Sequence, residues 1–218
     1  MRGRVSWIAG GLTLIVCLGL LPWFIPVVKV GEITVTGAQQ TAEGDVVAAT
    51  GVVPGANMVR VDAGRAARNV AALPWVERAH VERHLPGTVS VEVTERAAVL
   101  YAARSDGNHL IDASGVPFII GAPPVGAVEI TDTREDDREL FAGVAAVVES
   151  LDEPLRAQVT RVRAPGPYEI ALILLDGREV YWGAPENNHD KSRAASAALS
   201  REGRVYNVSD PVQVTVRQ

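Results

Sequence analysis

The sequence predicts an α+β protein in which one apolar N-terminal helix precedes two domains that mix strands with helices. Three observations carry that reading. Residues 7–28 contain no charged side chain. Downstream, apolar residues switch repeatedly between period two and helical spacing. Turn pairs such as Pro86-Gly87 and Asp176-Gly177 punctuate the switches. Composition narrows the function classes: charged residues make up 22%, and the net charge of -5 offers no positive field to attract nucleic acid.

The N-terminal segment WIAGGLTLIVCLGLLPWFIPVV is about 22 residues long, and at about 1.5 Å per residue a helix would reach roughly 33 Å, enough to cross a bilayer core. Trp7 and Trp23 suit the two interfaces, and Pro22 and Pro26 end or kink the outer turn. Arg2 and Arg4 precede the span and no acid does, which leaves residues 1–6 as a cytoplasmic stub and places the chain after Lys29 outside. A cleaved signal peptide is the competing reading. It calls for an apolar core of only about 7–15 residues and a nearby small-x-small site, whereas Val27-Val28-Lys29-Val30 follows here. The anchor is the better fit. The only cysteine, Cys17, lies inside the span, so the chain forms no internal disulfide and has no thiolate set for a metal. Mid-span, it reads as a small apolar residue rather than a lipidation site.

Residues 30–97 read as a first domain. Ile33 and Val35 alternate in a short strand that stops at Gly37. Thr41 is expected to cap a helix over 41–50, with Val46, Val47 and Ala49 as its contacts and Gly51 as its left-handed stop. After Pro54-Gly55, Asp62 is expected to cap a second helix from Ala63 to about Leu73, where Ala66, Ala67, Val70 and Leu73 form one stripe and Pro74 ends it. Residues 78–85 then alternate, with Ala79, Val81 and Leu85 on the apolar side. Beyond Pro86-Gly87, the string Thr88-Val89-Ser90-Val91-Glu92-Val93-Thr94-Glu95 alternates strictly, which makes a hairpin with one wet face. The predicted order is strand, helix, helix, strand, strand.

Residues 98–218 read as a strand-rich mixed-sheet domain with two helices. Strands over 101–103, 109–111 and 116–120 meander about Asp112-Ala113-Ser114-Gly115, where the aspartate accepts backbone N–H groups and Gly115 supplies positive φ. Gly121-Ala122-Pro123-Pro124 is a linker. A strand over 128–130 leads to a helix over 133–151, with Thr133 and Asp136 as a capping box and Leu140, Val144, Val147, Val148 and Leu151 as its apolar face. Strands follow over 159–163, 168–175 and 178–182. A helix capped by Asn188 or Asp190 then runs to about Arg201. The last two strands are 204–208 and 212–217, the second alternating Val212, Val214 and Val216.

The first domain resembles a POTRA module, and its place just after one span resembles the FtsQ/DivIB family of bacterial cell-division proteins. The residues that carry the resemblance are Ile33-Thr34-Val35-Thr36-Gly37, Leu73-Pro74-Trp75-Val76, Arg83-His84-Leu85-Pro86-Gly87-Thr88-Val89 and Val91-Glu92-Val93-Thr94-Glu95-Arg96. Leu110-Ile111-Asp112-Ala113-Ser114-Gly115-Val116-Pro117-Phe118 extends the resemblance into an FtsQ-type β domain. Where the family often has an acid in the penultimate strand, Asn207 stands here. The resemblance implies a non-enzymatic divisome scaffold, single-pass in the plasma membrane and enriched at the septum. Such a scaffold links early division-ring assembly to septal peptidoglycan synthesis by binding FtsB/DivIC-like and FtsL-like proteins outside the membrane. The septal peptidoglycan synthase is a further candidate partner. A membrane-anchored cell-wall enzyme or peptidoglycan-binding module is the alternative. A POTRA-bearing translocation protein is a third reading, but this chain has one module and no barrel-length strand series.

Candidate sites are few. His80, Glu82 and His84 share a strand face, yet His80 and His84 would lie about 13 Å apart, too far to hold one ion. His109 and His189 read as isolated, and Asp112 has no second acid to make it catalytic. No Gly-x-Ser-x-Gly, Ser-x-x-Lys, His-Glu-x-x-His or phosphate-loop string occurs. No catalytic residue, metal site or cofactor is expected. The last strand is the informative feature, because a strand at a sheet edge leaves backbone groups for a partner strand. Trp182, Tyr206, Val208, Val212, Val214 and Val216 are the candidate partner-binding residues. The plainer reading is that the valines pack the core.

Overall fold

The computed structural model describes residues 28–133 and 137–218, which fall into two compact units divided between Arg96 and Ala97. The apolar span of residues 7–28 lies outside the described residues except for Val28. Among the described residues no helix is long and apolar enough to cross a membrane.

In the first unit, β1 (Glu32–Thr36), α1 (Glu43–Thr50), a 3₁₀ turn at Met58–Arg60, α2 (Ala63–Val70), β2 (Val76–His84) and β3 (Thr88–Glu95) follow in chain order. Their order is the expected strand, helix, helix, strand, strand. The sheet order is β1-β3-β2. The hairpin β2–β3 is antiparallel, with Val81 opposite Val91, while β1 runs parallel to β3, with Val35 opposite Val91. A parallel pair needs a crossover between its strands, and α1 and α2 supply one that also covers the sheet. The core is almost wholly valine: Val30, Val46, Val61, Val70, Val76, Val81, Val89, Val91 and Val93, joined by Met58 and Ala66. β-branched side chains suit the pleated face that they line.

The helix ends differ in how they are closed. Asp62 caps α2 as expected, accepting the Arg65 N–H at 2.9 Å, but the helix stops at Val70 rather than Leu73. Gly51 ends α1 at φ 66°. The start of α1 corrects the expectation for Thr41, because Ala42 occupies the cap position and makes no side-chain cap bond. Ahead of that position, the Glu95 carboxylate reaches over from β3 and accepts the Gln40 and Thr41 N–H groups, at 2.9 and 2.7 Å. Partial burial opposes ionisation of Glu95, but those N–H donors outweigh it and hold its pKa below the ordinary value. Leu85 leaves the expected alternation: it sits in the turn, 73% exposed.

The second unit has one nine-stranded sheet. Its strands are β4 (Ala98–Arg104), β5 (Gly107–Asp112), β6 (Pro117–Ile120), β7 (Val128–Thr131), β8 (Val159–Arg163), β9 (Ile170–Leu174), β10 (Glu179–Gly183), β11 (Val205–Asn207) and β12 (Thr215–Arg217). The order is β12-β11-β10-β9-β8-β7-β4-β5-β6. The β4–β5–β6 meander and the β8–β9–β10 meander are antiparallel, and the joins β4–β7, β7–β8 and β10–β11 are parallel. The sheet is therefore mixed. The helices are α3 (Arg138–Ser150), α4 (Glu153–Arg156) and α5 (Asn188–Ala198).

The short α4, capped by Asp152, was not expected. α3 starts later than predicted: Asp137 caps it through the Leu140 N–H at 3.0 Å, so Thr133 is not its cap, and Asp136 lies outside the described residues. Its apolar face is buried as predicted, Leu140, Val144, Val147, Val148 and Leu151 all joining the core. α5 begins one residue after Asn187, which adopts φ 53° and makes no side-chain cap bond. Neither Asn188 nor Asp190 is the cap.

Candidate partner-binding edge

Two rows of side chains cross the second sheet and end on β12. Following the register from β7, Ile130, Val162, Leu172, Val180, Tyr206 and Val216 lie side by side on one face. All are buried except the last, which packs partly against the core. The neighbouring row is Glu129, Arg161, Ile173, Glu179, Val205 and Arg217, none of it buried. Alternation along each strand explains the split. β12 has β11 on one side, with Tyr206 opposite Val216, and among the described residues no strand pairs with its other side. Its outer backbone groups are therefore not used by the sheet.

What lies beneath this edge is unusually polar-tipped. Trp182, fully buried on β10, donates Nε1–H to Asn188 Oδ1 at 2.9 Å. Lys191 of α5 is also buried, and its Nζ donates to the carbonyls of Trp182 (3.1 Å) and Ala184 (2.8 Å). Burial lowers the Lys191 pKa, and the nearby Glu186 charge works against that shift. Tyr206 sends its hydroxyl to the Arg201 and Gly203 carbonyls, at 2.7 and 2.9 Å. The Arg178 guanidinium sits 5.7 Å over the Tyr206 ring centre and donates to the Leu199 carbonyl at 2.9 Å. α5 and the turn after it are thus pinned to β10 and β11 by hydrogen bonds as well as by packing.

The six candidate residues separate on burial. Trp182, Tyr206 and Val208 are core residues with no exposed surface, so they shape the edge from below and present no side chain at it. Val214 and Val216 are partly buried and pack against that core. Val212 is 93% exposed and outside the strand, which corrects the predicted span of 212–217 to Thr215–Arg217. Asx turns consume the intervening residues: Asn207 Oδ1 accepts the Ser209 N–H at 3.0 Å, and Asp210 Oδ1 accepts the Val212 N–H at 2.9 Å. Sequence periodicity could not reveal these turns, because an Asx turn and a polar strand position use the same residue types. Missed entirely were Lys191 and Arg178, which no motif marks.

The other candidate sites resolve into structural roles. Asp112 Oδ1 accepts the Ser114 N–H, the Ser114 hydroxyl and the Val116 N–H, at 2.9, 2.7 and 3.0 Å. Gly115 turns the chain at φ 75°, as expected for that hairpin. Glu82 bridges His80 and His84, at 3.0 and 3.5 Å. The hydrogen bond from His80 holds the exposed Glu82 carboxyl below its ordinary pKa. Among the described residues, no group of three or more His, Cys, Asp and Glu side chains could hold a metal ion. His109 is not isolated: its Nε2 lies 2.8 Å from Asp106 Oδ1.

Comparison with known proteins places both units. Residues 28–96 match the family model of the FtsQ-type POTRA domain. Residues 100–213 match the C-terminal region of cell division protein FtsQ/DivIB. The chain is similar to cell division protein FtsQ of Corynebacterium glutamicum, 44% identical over 222 residues that cover 100% of both chains. It is 32% identical to FtsQ of Mycolicibacterium smegmatis, over 98% of this chain and 64% of that one. FtsQ of Mycobacteroides abscessus is 34% identical, over 92% of this chain and 65% of that one. The chain thus spans a little under two thirds of the length of those last two relatives. Taken with the two family models, these likenesses show that the chain belongs to the FtsQ/DivIB family of cell-division proteins.

Proposed function

We propose that this protein is a non-enzymatic scaffold of the divisome. Residues 7–28 anchor it in the plasma membrane, with residues 1–6 in the cytoplasm and both folded units outside. It is held at the septum and links early division-ring assembly to septal peptidoglycan synthesis. Its partners are the FtsB/DivIC-like and FtsL-like division proteins, with the septal peptidoglycan synthase as a further one. The mechanism is strand addition: an FtsB/DivIC-like segment pairs with the free side of β12, main-chain hydrogen bonds supplying affinity and alternate side chains supplying choice. Val214 and Val216 set the apolar side of that strand position, Arg217 the polar side, and the exposed Val212 flanks it. Trp182, Tyr206 and Val208 hold the platform.

One observation carries the reading: in a member of this family, β12 is an outer strand paired with β11, whose buried Tyr206 is held by hydrogen bonds, and among the described residues no strand pairs with its far side. Removal of residues 211–218 is the direct test. With the second unit still folded by thermal melting, a pull-down against the FtsB/DivIC-like partner should lose binding. Undiminished capture eliminates strand addition at this edge. For the broader role, a fluorescent fusion should form midcell bands, and uniform membrane signal counts against it.

A further inference from the structure

One end of the first unit gathers apolar and cationic side chains around the residue where the N-terminal apolar segment stops. The Met58 N–H donates to the Val28 carbonyl at 2.9 Å, the Val30 N–H to Ala56 at 2.9 Å and the Gly55 N–H to Val30 at 2.7 Å. Lys29 bridges Asn57. On the other side of Lys29, the Gly31 N–H donates to the Gly87 carbonyl of the β2–β3 turn at 2.8 Å. No linker separates the apolar segment from the folded unit: the loop 52–61 and the turn 85–87 are tied to its last residues.

Those two loops carry Val53, 65% exposed, Leu85, 73% exposed, and the more sheltered Val59. Beside them stand Lys29, Arg60 and Arg83, all exposed. Arg83 donates to the Val59 and Val61 carbonyls, at 3.3 and 3.2 Å, which fixes it against the same loop. A cleft of about 500 Å³, lined among others by Val53, Asn57, Arg60 and Arg65, opens beside the loop. The acidic groups nearby are Glu32 at the start of β1, Asp62, and Glu82, which His80 and His84 engage at 3.0 and 3.5 Å. The Asp62 carboxylate is committed to its helix N-terminus. Large apolar side chains ringed by cations suit the boundary between acyl chains and headgroups, where the former bury and the latter meet phosphate.

We propose that this end of the first unit is a membrane-seating surface. Val53, Val59 and Leu85 enter the interface of the bilayer that residues 7–28 span, and Lys29, Arg60 and Arg83 engage anionic phospholipid headgroups. The inference rests on residues 7–28 being the membrane anchor. Its physical basis is distance: a chain extends at most about 3.5 Å per residue, so loops bonded to Val28 and Val30 have no room to stand off from the bilayer. The opposite end of the sheet, where Glu77 lies, is about 23 Å away along the length of β3.

The test uses the full chain reconstituted in phosphatidylcholine vesicles, with and without phosphatidylglycerol. Nitroxide labels go on the native Cys17 and, in a Cys17→Ser background, on Val53→Cys, Leu85→Cys and Glu77→Cys. Collisional relaxation by oxygen and by a water-soluble nickel chelate reports depth. The expected result is a Cys17 label in hydrocarbon, Val53 and Leu85 labels sheltered from the chelate more strongly with phosphatidylglycerol, and a Glu77 label open to it. Adding Lys29→Glu with Arg60→Glu should weaken the sheltered state on the order of tenfold. A Cys17 label in hydrocarbon with Val53 and Leu85 fully open to the chelate overturns the seating surface while leaving the anchor intact. Sheltering that ignores phosphatidylglycerol and the charge reversals overturns the headgroup contacts. A Cys17 label in water overturns the anchor, and the seating surface with it.

Discussion

The two sheets treat an outer strand in opposite ways. In the first unit, β2 is nine residues long, and among the described residues β3 is the one strand that pairs with it. It presents Glu77, Arg78, His80, Glu82, Arg83 and His84 to solvent. Charge at that density discourages another strand from pairing, because an incoming backbone would have to desolvate it. In the second unit, β12 is short and carries far less: Thr215 and Arg217 face solvent and Val216 faces in. What it has instead is support from below. The buried side chains with polar tips, Trp182, Lys191 and Tyr206, belong to β10, α5 and β11, whereas among the described residues the first unit's buried core has no aromatic side chain. A valine core needs only volume to be right. A core that also satisfies an indole N–H, an ammonium and a phenol fixes orientation, and orientation is what the proposed strand addition at β12 needs.

The largest expected effect comes from breaking that polar network. Lys191→Ala strands the Trp182 and Ala184 carbonyls and opens a void, which is expected to cost about 3 kcal/mol of second-unit stability. In calorimetry the second unit's transition should move down and the first unit's should stay. Lys191→Met keeps the aliphatic stem, so its smaller loss, about 1–2 kcal/mol, isolates the carbonyl contribution. If the two variants behave alike, the hydrogen bonds to β10 do not hold the platform.

Next in size is a substitution aimed at the edge alone. A Cβ on Gly203 would collide with Val216 Cγ1 and approach the Tyr206 ring at 3.5 Å. Because Val216 is branched and pressed against the core, it cannot yield by rotating a flexible tip. Gly203→Ala is expected to displace β12 at a cost of about 1–2 kcal/mol, and to reduce capture of the FtsB/DivIC-like partner by more than the stability loss accounts for. Binding that falls only in step with stability would mean that β12 is not the docking strand.

A smaller effect belongs to the first unit. Glu95→Gln removes the carboxylate that caps the Gln40 and Thr41 N–H groups and is expected to cost about 1 kcal/mol at neutral pH. The sign of the pH dependence follows from the lowered pKa. Its contribution is present above the carboxyl's unfolded value and is lost as pH falls through the folded one. Acid titration of the wild type should therefore weaken the first unit, and the variant should lose part of that acid limb.

Local chemistry made much of this molecule legible. The turns at Pro86-Gly87, Asp112–Gly115 and Asp176-Gly177, the Asp62 cap and the buried face of α3 all depend on residues within a few positions of one another. Partners far apart in sequence left no such trace. Glu95 ties down the segment before α1 from 55 residues away. The parallel joins β1–β3 and β10–β11 depend on which strands meet after a crossover, and periodicity does not encode that. At the candidate edge, alternation at Val212, Val214 and Val216 announced a strand, but the Asn207 and Asp210 turns shortened it and left Val212 in solvent. Nor does alternation say which strand ends a sheet. That required the register of nine strands.

The smallest expected change in stability tests the other half of the comparison. His80→Val with Glu82→Val removes the His80–Glu82–His84 cluster from the exposed side of β2. Exposed pairs of this kind contribute little, and valine suits a strand, so the melting of the first unit should shift by no more than about 0.5 kcal/mol. Association is where the effect should show. With valine at positions 80 and 82, β2 gains an apolar run along its exposed face between Arg78 and Arg83, and sedimentation should reveal concentration-dependent self-association beyond that of the wild type. A variant that stays monomeric would mean that these charges are not what keeps β2 closed, and that the contrast with β12 lies in the platform beneath the strand rather than in the side chains along it.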